Sequence, residues 1–223
     1  VYQNKIKRLI YIGTANSFGF GSKAIPGIEN NPYKSEKYGL DYMDSKYKTQ
    51  QFILNEVKEN KLPAIILNPT FMFGPYDSNP SSGAMIVALY KGKVPGYTSG
   101  GRNYICAKDA ATAIVRAAES HEGTEPINLG SDSEITIRET AETIASVVGY
   151  TGTLQWDATK PDGQPRRRID ATRAEQLLGW KAAMKFRDGL AATVDWYLAN
   201  QQWVDFVVSG DYKKYYATQY ESR

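Results

Sequence analysis

RLIYIGTANSFG, residues 8–19, joins a short apolar run to a polar segment that contains glycine. The run is rich in isoleucine and tyrosine and ends at Gly13, which is typical of a buried strand. A second run of this kind, PAIILNP at residues 63–69, follows after a long segment with a helix-like pattern. Strand, loop, helix and strand form a βαβ unit, whose crossover predicts a parallel sheet covered by helices.

Further elements are predicted from periodicity and from turn residues. The helix of the βαβ unit extends from Tyr42 to about Lys58, and residues 22–39 before it, rich in Pro, Gly and Asn, form a loop. Beyond Pro75 the alternation of strands and helices becomes less regular. We expect helices over 84–92, 109–119, 136–149, 171–179 and 187–203. Asp109 is predicted to cap the second of them, and Thr136 and Glu139 to form a capping box at the start of the third. A loop is expected over 94–104 and strands over 104–107 and 127–130.

The composition excludes several classes of function. The chain has 223 residues, 42% of them hydrophobic, and a net charge of +3 with acids and bases interleaved. We therefore expect neither nucleic acid nor a membrane as partner, and a cytoplasmic location. One cysteine, Cys106, excludes an internal disulfide and a cysteine-based metal site, so no metal is expected. The single histidine, His121, is predicted to lie in an exposed loop without a chemical role.

A tyrosine four residues before a lysine occurs three times, at Tyr33/Lys37, Tyr42/Lys46 and Tyr104/Lys108. On a helix this spacing puts both side chains on one face, where the ammonium favours the phenolate of a tyrosine whose pKa is ordinarily near 10. Such a tyrosine can transfer protons near neutral pH. The alternative is chance placement on the surface, and a lone pair of this kind is a weak signal.

Structural context separates the three pairs. Tyr33 is predicted to lie in a loop and Tyr104 in a strand, where residues four apart are separated by about 13 Å. Tyr42 opens a predicted helix. Thr14 follows the first strand, and ligands of parallel α/β sheets bind beyond the carboxyl ends of the strands. Thr14, Tyr42 and Lys46 can therefore converge.

Four stretches together resemble the extended short-chain dehydrogenase/reductase family, which includes nucleotide-sugar epimerases, dehydratases and dihydroflavonol-type reductases. They are GTANSFG (13–19), YMDSK (42–46), LNPTFMFGP (67–75) and GGRNYICAKD (100–109). The resemblance implies an α/β chain with the C-terminal half of a Rossmann-type parallel sheet plus a smaller mixed α/β substrate domain. It further implies a partial NAD(P)-binding domain over residues 1–75 and a substrate-binding region over 76–223, some of whose segments return to the Rossmann sheet.

The resemblance also implies roles for individual residues, with NAD or NADP as cofactor. Tyr42 would be the catalytic acid/base, Lys46 would favour its phenolate and bind the nicotinamide ribose, and Thr14 would hydrogen-bond the reacting oxygen. The nicotinamide site would be lined by Asn68, Pro69 and Thr70. A nucleotide-diphosphate sugar or another small carbonyl substrate would contact Phe71, Arg102, Arg166 and Arg167. A homodimer is a possible assembly.

The resemblance is divided among branches of the family. Residues 7 to about 105 are similar to the reductase-type members, residues 161–180 to sugar epimerases and GDP-fucose synthases, and the tail from Trp196 to glucose 4,6-dehydratases. The dehydratases carry Asp and Glu after the threonine, whereas this chain has Ala15 and Asn16, so a dehydratase is disfavoured. We expect a nucleotide-sugar epimerase, with a carbonyl reductase of dihydroflavonol-reductase type as the alternative. Helix packing or an oligomer contact is the preferred interpretation of the aromatic tail.

The glycine-rich loop that holds the cofactor pyrophosphate in this family has no counterpart in the sequence. Gly19-Phe20-Gly21 imitates part of it, but a Pro/Gly/Asn-rich loop follows instead of a helix whose N-terminus could bind phosphate. We therefore expect that about the first third of a family member is missing here. The second alternative is accordingly a non-catalytic fragment.

Overall fold

The computed structural model describes residues 3–22, 24–77, 82–92, 99–131, 133–155 and 166–209. Its strands are β1 (Leu9–Ile12), β2 (Ala64–Pro69), β3 (Phe71–Phe73), β4 (Gly101–Cys106), β5 (Ile127–Leu129), β6 (Glu134–Thr136) and β7 (Arg166–Arg167). Its helices are α1 (Asp41–Asn60), α2 (Gly83–Tyr90), α3 (Ala107–Ser120), α4 (Ile137–Val148), α5 (Thr172–Leu178), α6 (Phe186–Ala199) and α7 (Gln201–Ser209).

A parallel sheet with the strand order β1-β2-β5 forms the first half of the fold. Every residue of β2 is buried because helices cover both of its faces. Ile65 and Leu67 pack with the alanines of α3, while Ala64 and Ile66 pack with Ile53 of α1. The α/β class predicted from the two apolar runs is confirmed.

Helix α1 begins and ends close to the predicted bounds. It is 20 residues long, and Lys61, with a left-handed φ of 56°, ends it before Pro63. Among the described residues, no helix is both long and apolar enough to cross a membrane.

A mixed sheet forms the second half, as the mixed α/β region implied by the family resemblance predicts. β4 pairs in parallel with β3 and β7 and antiparallel with β6. The loop predicted over 94–104 is wrong from Gly101 onward, because β4 begins there, and its part over 94–98 lies outside the described residues. Arg166–Arg167 form the short strand β7. α2, α4 and α6 pack on this sheet around Phe73, Ile144 and Leu190.

The helix ends confirm one predicted cap and contradict another. Thr136 and Glu139 form the expected capping box of α4, and Gly149 ends that helix with a φ of 72°. Asp109, however, does not cap α3, which begins at Ala107. Its carboxylate instead accepts hydrogen bonds from the backbone N–H groups of Ala183 and Met184, so it holds the segment before α6.

Two further predictions in the C-terminal half are wrong. The single helix over 187–203 is divided at Asn200 into α6 and α7, and the Asn200 side chain donates to the carbonyl of Trp196 at 2.8 Å. His121 ends α3 and is buried rather than exposed. The aromatic residues of α6 and α7 pack onto an earlier loop, since the rings of Trp196 and Tyr76 lie 4.9 Å apart.

Candidate active site

A cavity of about 880 Å³ is lined by residues of both halves of the fold. The chain passes from β2 to β3 at Thr70, whose N–H donates to the carbonyl of Leu129 in β5. The lining includes the segment after β1, the first turn of α1, the β2–β3 junction and strands β3, β4 and β7 of the mixed sheet. This volume is in the range of pockets that bind small molecules and cofactors.

Three hydroxyl-bearing residues of the parallel half line the cavity: Thr14, Tyr42 and Thr70, here called the hydroxyl wall. Thr14 is buried, and its Oγ1 accepts a hydrogen bond from the N–H of Asn16 at 3.3 Å. Its O–H proton is therefore available for donation to a ligand. Thr70 Oγ1 is buried and has no hydrogen-bond partner within the part of the chain that the structure describes. Tyr42 is 58% exposed and lines the cavity.

The local sequence explains why these side chains meet. β1 ends at Ile12, and Gly13 donates its N–H to Leu67 of β2, so Thr14 lies at the carboxyl edge of the sheet. α1 begins at Asp41, which places Tyr42 in its first turn beside the segment that follows β1. Lys46 lies one turn further along the same helix face and is half-buried, but it does not line the cavity.

The two other tyrosine–lysine pairs have structural roles. The Tyr33 hydroxyl donates a hydrogen bond to Asp44 at 2.5 Å, and the Tyr33 ring stacks on Tyr47. Burial, and after it the hydrogen bond to Asp44, raise the pKa of Tyr33. Tyr104 is buried in β4, where it shares a hydrogen bond of 2.7 Å with Thr140 and burial raises its pKa. Neither tyrosine lines the cavity. The separation of the three pairs by predicted secondary structure therefore agrees with their placement.

Two arginines of the mixed half, Arg102 and Arg167, also line the cavity and are here called the arginine wall. They are register partners on β4 and β7. Arg102 is exposed, and its guanidinium lies 5.2 Å from the ring centre of Phe71, a cation–π contact. Arg167 is buried and donates to the carbonyl of Ala15.

The arginine wall places two positive charges near each other, one of them buried. Burial, and after it the positive charge of Arg102, lower the pKa of Arg167 to about 10. Two neighbouring guanidiniums, one of them desolvated, favour an anion that can accept several hydrogen bonds, such as a diphosphate.

The remaining predicted residues are divided between the cavity and the protein interior. Phe71 lines the cavity, whereas Asn68 and Pro69 at the end of β2 do not. Asn68 is fully buried. The side chain of Arg166 lies outside the described residues.

The polar lining residues that sequence reasoning missed include Asp77 and Asn103. Asp77 accepts hydrogen bonds from Ser82 Oγ and the N–H of Gly83, both at 3.1 Å, at the start of α2. Asn103 is buried beside the arginine wall, and its amide donates to the carbonyl of Ser133 at 2.9 Å. The signal for Asp77 was a carboxylate a few residues before an apolar helix, but nothing local identifies Asn103.

The segment Gly19-Phe20-Gly21 packs against its own loop. A side chain on Gly19 would meet the carbonyl of Pro32 at 2.2 Å, and one on Gly21 would meet the backbone N of Gly27 at the same distance. These glycines permit close backbone contact in the loop before α1, which accounts for them without a phosphate.

A cavity beyond the carboxyl ends of parallel strands, bounded by hydroxyls, a phenol and guanidiniums, is suited to a polar, anionic small molecule. The family model of the NAD dependent epimerase/dehydratase family matches residues 1–130. The chain belongs to this family, as its resemblance predicts.

Individual relatives agree with this assignment. The chain is 32% identical over 213 residues to GDP-L-fucose synthase 1 of Arabidopsis thaliana, covering 89% of this chain and 66% of the relative. It is 27% identical over 206 residues to dTDP-glucose 4,6-dehydratase 1 of Escherichia coli, covering 87% and 55%. The structure of Thermus thermophilus UDP-glucose 4-epimerase with NAD superposes with a TM-score of 0.76 at 20% identity, covering 89% and 66%. The chain thus spans about half to two thirds of the length of these relatives.

Proposed function

We propose that this chain carries the proton-transfer and substrate-binding residues of an NAD(P)-dependent nucleotide-sugar epimerase. The observation that supports this proposal is the single cavity shared by the hydroxyl wall and the arginine wall. A nucleotide sugar contains a reacting hydroxyl and a diphosphate, and each wall supplies groups suited to one of them.

The proton is handled at the hydroxyl wall. Tyr42 Oη takes the proton of the reacting sugar hydroxyl and later returns it, and Thr14 Oγ1 donates a hydrogen bond to the same sugar oxygen. Lys46 lies one turn further along the same face of α1 and carries its positive charge on the side of the helix that presents Tyr42. A bound nicotinamide supplies the hydride-transfer chemistry of the reaction.

The described residues fit the nicotinamide end of NAD or NADP. Thr70 lines the cavity, and its Oγ1 has no hydrogen-bond partner among the described residues. Polar atoms of this kind suit a carboxamide or a ribose hydroxyl. We propose that residues 1–75 provide this cofactor side and residues 76–223 most of the substrate side.

The carboxylates of the cavity support an epimerase or a reductase over a dehydratase. Elimination of water from a sugar needs an acid and a base at neighbouring carbons. Asp77 is the sole carboxylate among the described lining residues, and it is engaged by Ser82 and Gly83. Ala15 and Asn16, which follow Thr14 in the lining, supply neither an acid nor a base.

The test is product analysis by NMR after incubation with GDP-, dTDP- and UDP-sugars and NAD(P). An epimerase converts the sugar into its epimer without net consumption of reduced nicotinamide, whereas a reductase consumes one reduced nicotinamide for each product formed. Calorimetric titration of NAD and NADP belongs to the same experiment. Absence of binding up to millimolar concentration would overturn the proposal and leave the fragment alternative.

A further inference from the structure

Three polar side-chain atoms are buried together beneath the carboxyl end of β1. They are Oδ1 and Nδ2 of Asn68 and Oε1 of Gln50, and in the described part of the chain none of them has a hydrogen-bond partner. Asn68 is 0% exposed and Gln50 is 2% exposed. Because an unpaired buried amide is costly, three such atoms in one place call for an explanation.

Both amides converge on Gly13. A Cβ built on Gly13 would lie 2.3 Å from Asn68 Oδ1 and 3.4 Å from Gln50 Oε1, so the two oxygens lie within a few ångströms of one point. A half turn about the last bond of Asn68 exchanges its oxygen and nitrogen and presents Nδ2, a donor, toward Gln50 Oε1, an acceptor. The absence of a side chain on Gly13 gives the two amides the space to pair.

Gln50 connects this place to the proposed proton-transfer residues. Tyr42, Lys46 and Gln50 are spaced four residues apart on α1, so they lie along one face of the helix. Burial increases along this face, from 58% exposure at Tyr42 through half-buried Lys46 to 2% at Gln50. Gln50 is therefore the fixed end of the face, and Tyr42 is the end that reaches the cavity.

We propose that Gln50 and Asn68 form an amide lock across Gly13 and that Gln50 is a positioning residue for Tyr42. The lock joins α1 to the ends of β1 and β2. It thereby fixes the position of Tyr42 and Lys46 along the α1 axis relative to Thr14, the residue after Gly13. Asn68 thereby acts through the interior of the protein rather than on a ligand. Its positioning role rests on the proposed function of Tyr42, whereas the pairing of the two amides does not.

Isosteric variants test the pairing without any activity. Gln50→Met and Asn68→Leu keep the side-chain length but remove the amide, and Gln51→Met is the matched control on the same helix. We expect the two single variants to lower the melting temperature, and the double variant to lower it by clearly less than the sum of the two. Additive shifts would overturn the lock. Gln51→Met should leave the melting temperature nearly unchanged.

The positioning role has a separate readout. In Gln50→Met, but not in Gln51→Met, the NMR signals of the Tyr42 ring and the Thr14 methyl group should shift, and kcat should fall by about tenfold with KM nearly unchanged. Unshifted Tyr42 and Thr14 signals in a folded Gln50→Met protein would overturn it. If the wild type turned over no nucleotide sugar, the proposed function would fail while the melting-temperature cycle and the NMR shifts still decided the lock.

Discussion

The hydroxyl wall and the arginine wall differ in how the chain builds them. The hydroxyl wall comes from one continuous βαβ unit, in which β1, α1 and β2 follow one another in sequence. The arginine wall comes from β4 and β7, two strands that are far apart in the chain and pair only in the folded protein. The proposed proton-transfer residues thus come from neighbouring elements of the sequence, whereas the proposed anion-binding residues come from strands that meet only in the folded protein.

The two walls also differ in exposure and charge. Tyr42 is 58% exposed, so a substrate can reach its phenol and bury it on binding. Arg167 is 7% exposed and carries a lowered pKa, so its charge is already desolvated before a ligand arrives. A preorganised cation of this kind strengthens anion binding, whereas an exposed phenol is suited to making its decisive contact only with a bound substrate.

The largest effect is expected at the hydroxyl wall. Tyr42→Phe removes the proton-transferring oxygen, so kcat should fall about 100- to 10,000-fold in a steady-state assay of nucleotide-sugar turnover. The fold should survive because the ring is kept and is largely exposed. Tyr47→Phe, on the same helix, is the control and should retain activity. Equal kcat values in wild type and Tyr42→Phe would exclude Tyr42 as the acid/base.

The arginine wall should respond in affinity rather than in kcat. Arg102→Met removes charge-assisted hydrogen bonds to a diphosphate, so we expect the Kd of a nucleotide sugar to rise about 10- to 100-fold in calorimetry. The Kd of Arg102→Lys should lie between those of the wild type and Arg102→Met, because lysine keeps the positive charge but lacks the planar guanidinium. Arg138→Met on α4, which changes an exposed arginine away from the cavity, is the control. Unaltered affinity in Arg102→Met would remove Arg102 from the substrate site.

The pH dependence of anion binding should distinguish Arg167 from an ordinary arginine. Its pKa is lowered to about 10, mainly by burial, so its positive charge is lost as the pH rises through about 10. The affinity of the wild type for a nucleoside diphosphate should weaken over this range more steeply than that of Arg167→Met, which lacks the titrating cation. Parallel pH profiles for the two proteins would show that Arg167 does not contribute charge to binding.

The smallest effect is expected at a helix end of the mixed half. Thr136→Ala removes the capping box of α4 and should lower the free energy of unfolding by about 1 kcal/mol in urea denaturation. Hydrogen bonds from Thr136 lower the pKa of Glu139, so this stabilisation is fully present above the usual carboxyl pKa and is lost as the pH falls from there through the lowered pKa. Thr143→Ala, in the interior of α4, is the control. An unchanged free energy of unfolding in Thr136→Ala would show that the capping box does not stabilise α4.

The sequence allowed prediction of Thr14 and Tyr42 in the hydroxyl wall because their determinants are local, whereas Thr70 was identified by family resemblance. Apolar runs predict β1 and β2, helical spacing predicts α1, and the carboxyl-edge rule brings Thr14 to Tyr42. The capping box of α4 was predictable for the same reason, since Thr136 and Glu139 are three residues apart.

The arginine wall was only partly predictable. Arg102 and Arg167 were identified by family resemblance, but the strands that carry them were not. β7 is two residues long and β6 three, and such short strands leave no periodic pattern in the sequence. Their pairing with β4 depends on tertiary contacts. The burial of His121 was missed for a related reason, because a polar sequence around a helix end does not reveal what packs over it.

The division of labour between the walls is tested most directly by calorimetric titration of one nucleotide sugar against wild type, Tyr42→Phe and Arg102→Met under identical conditions. The account predicts that Tyr42→Phe binds about as tightly as the wild type, whereas Arg102→Met binds about 10- to 100-fold more weakly. Equal loss of affinity in both variants, or no loss in either, would contradict it.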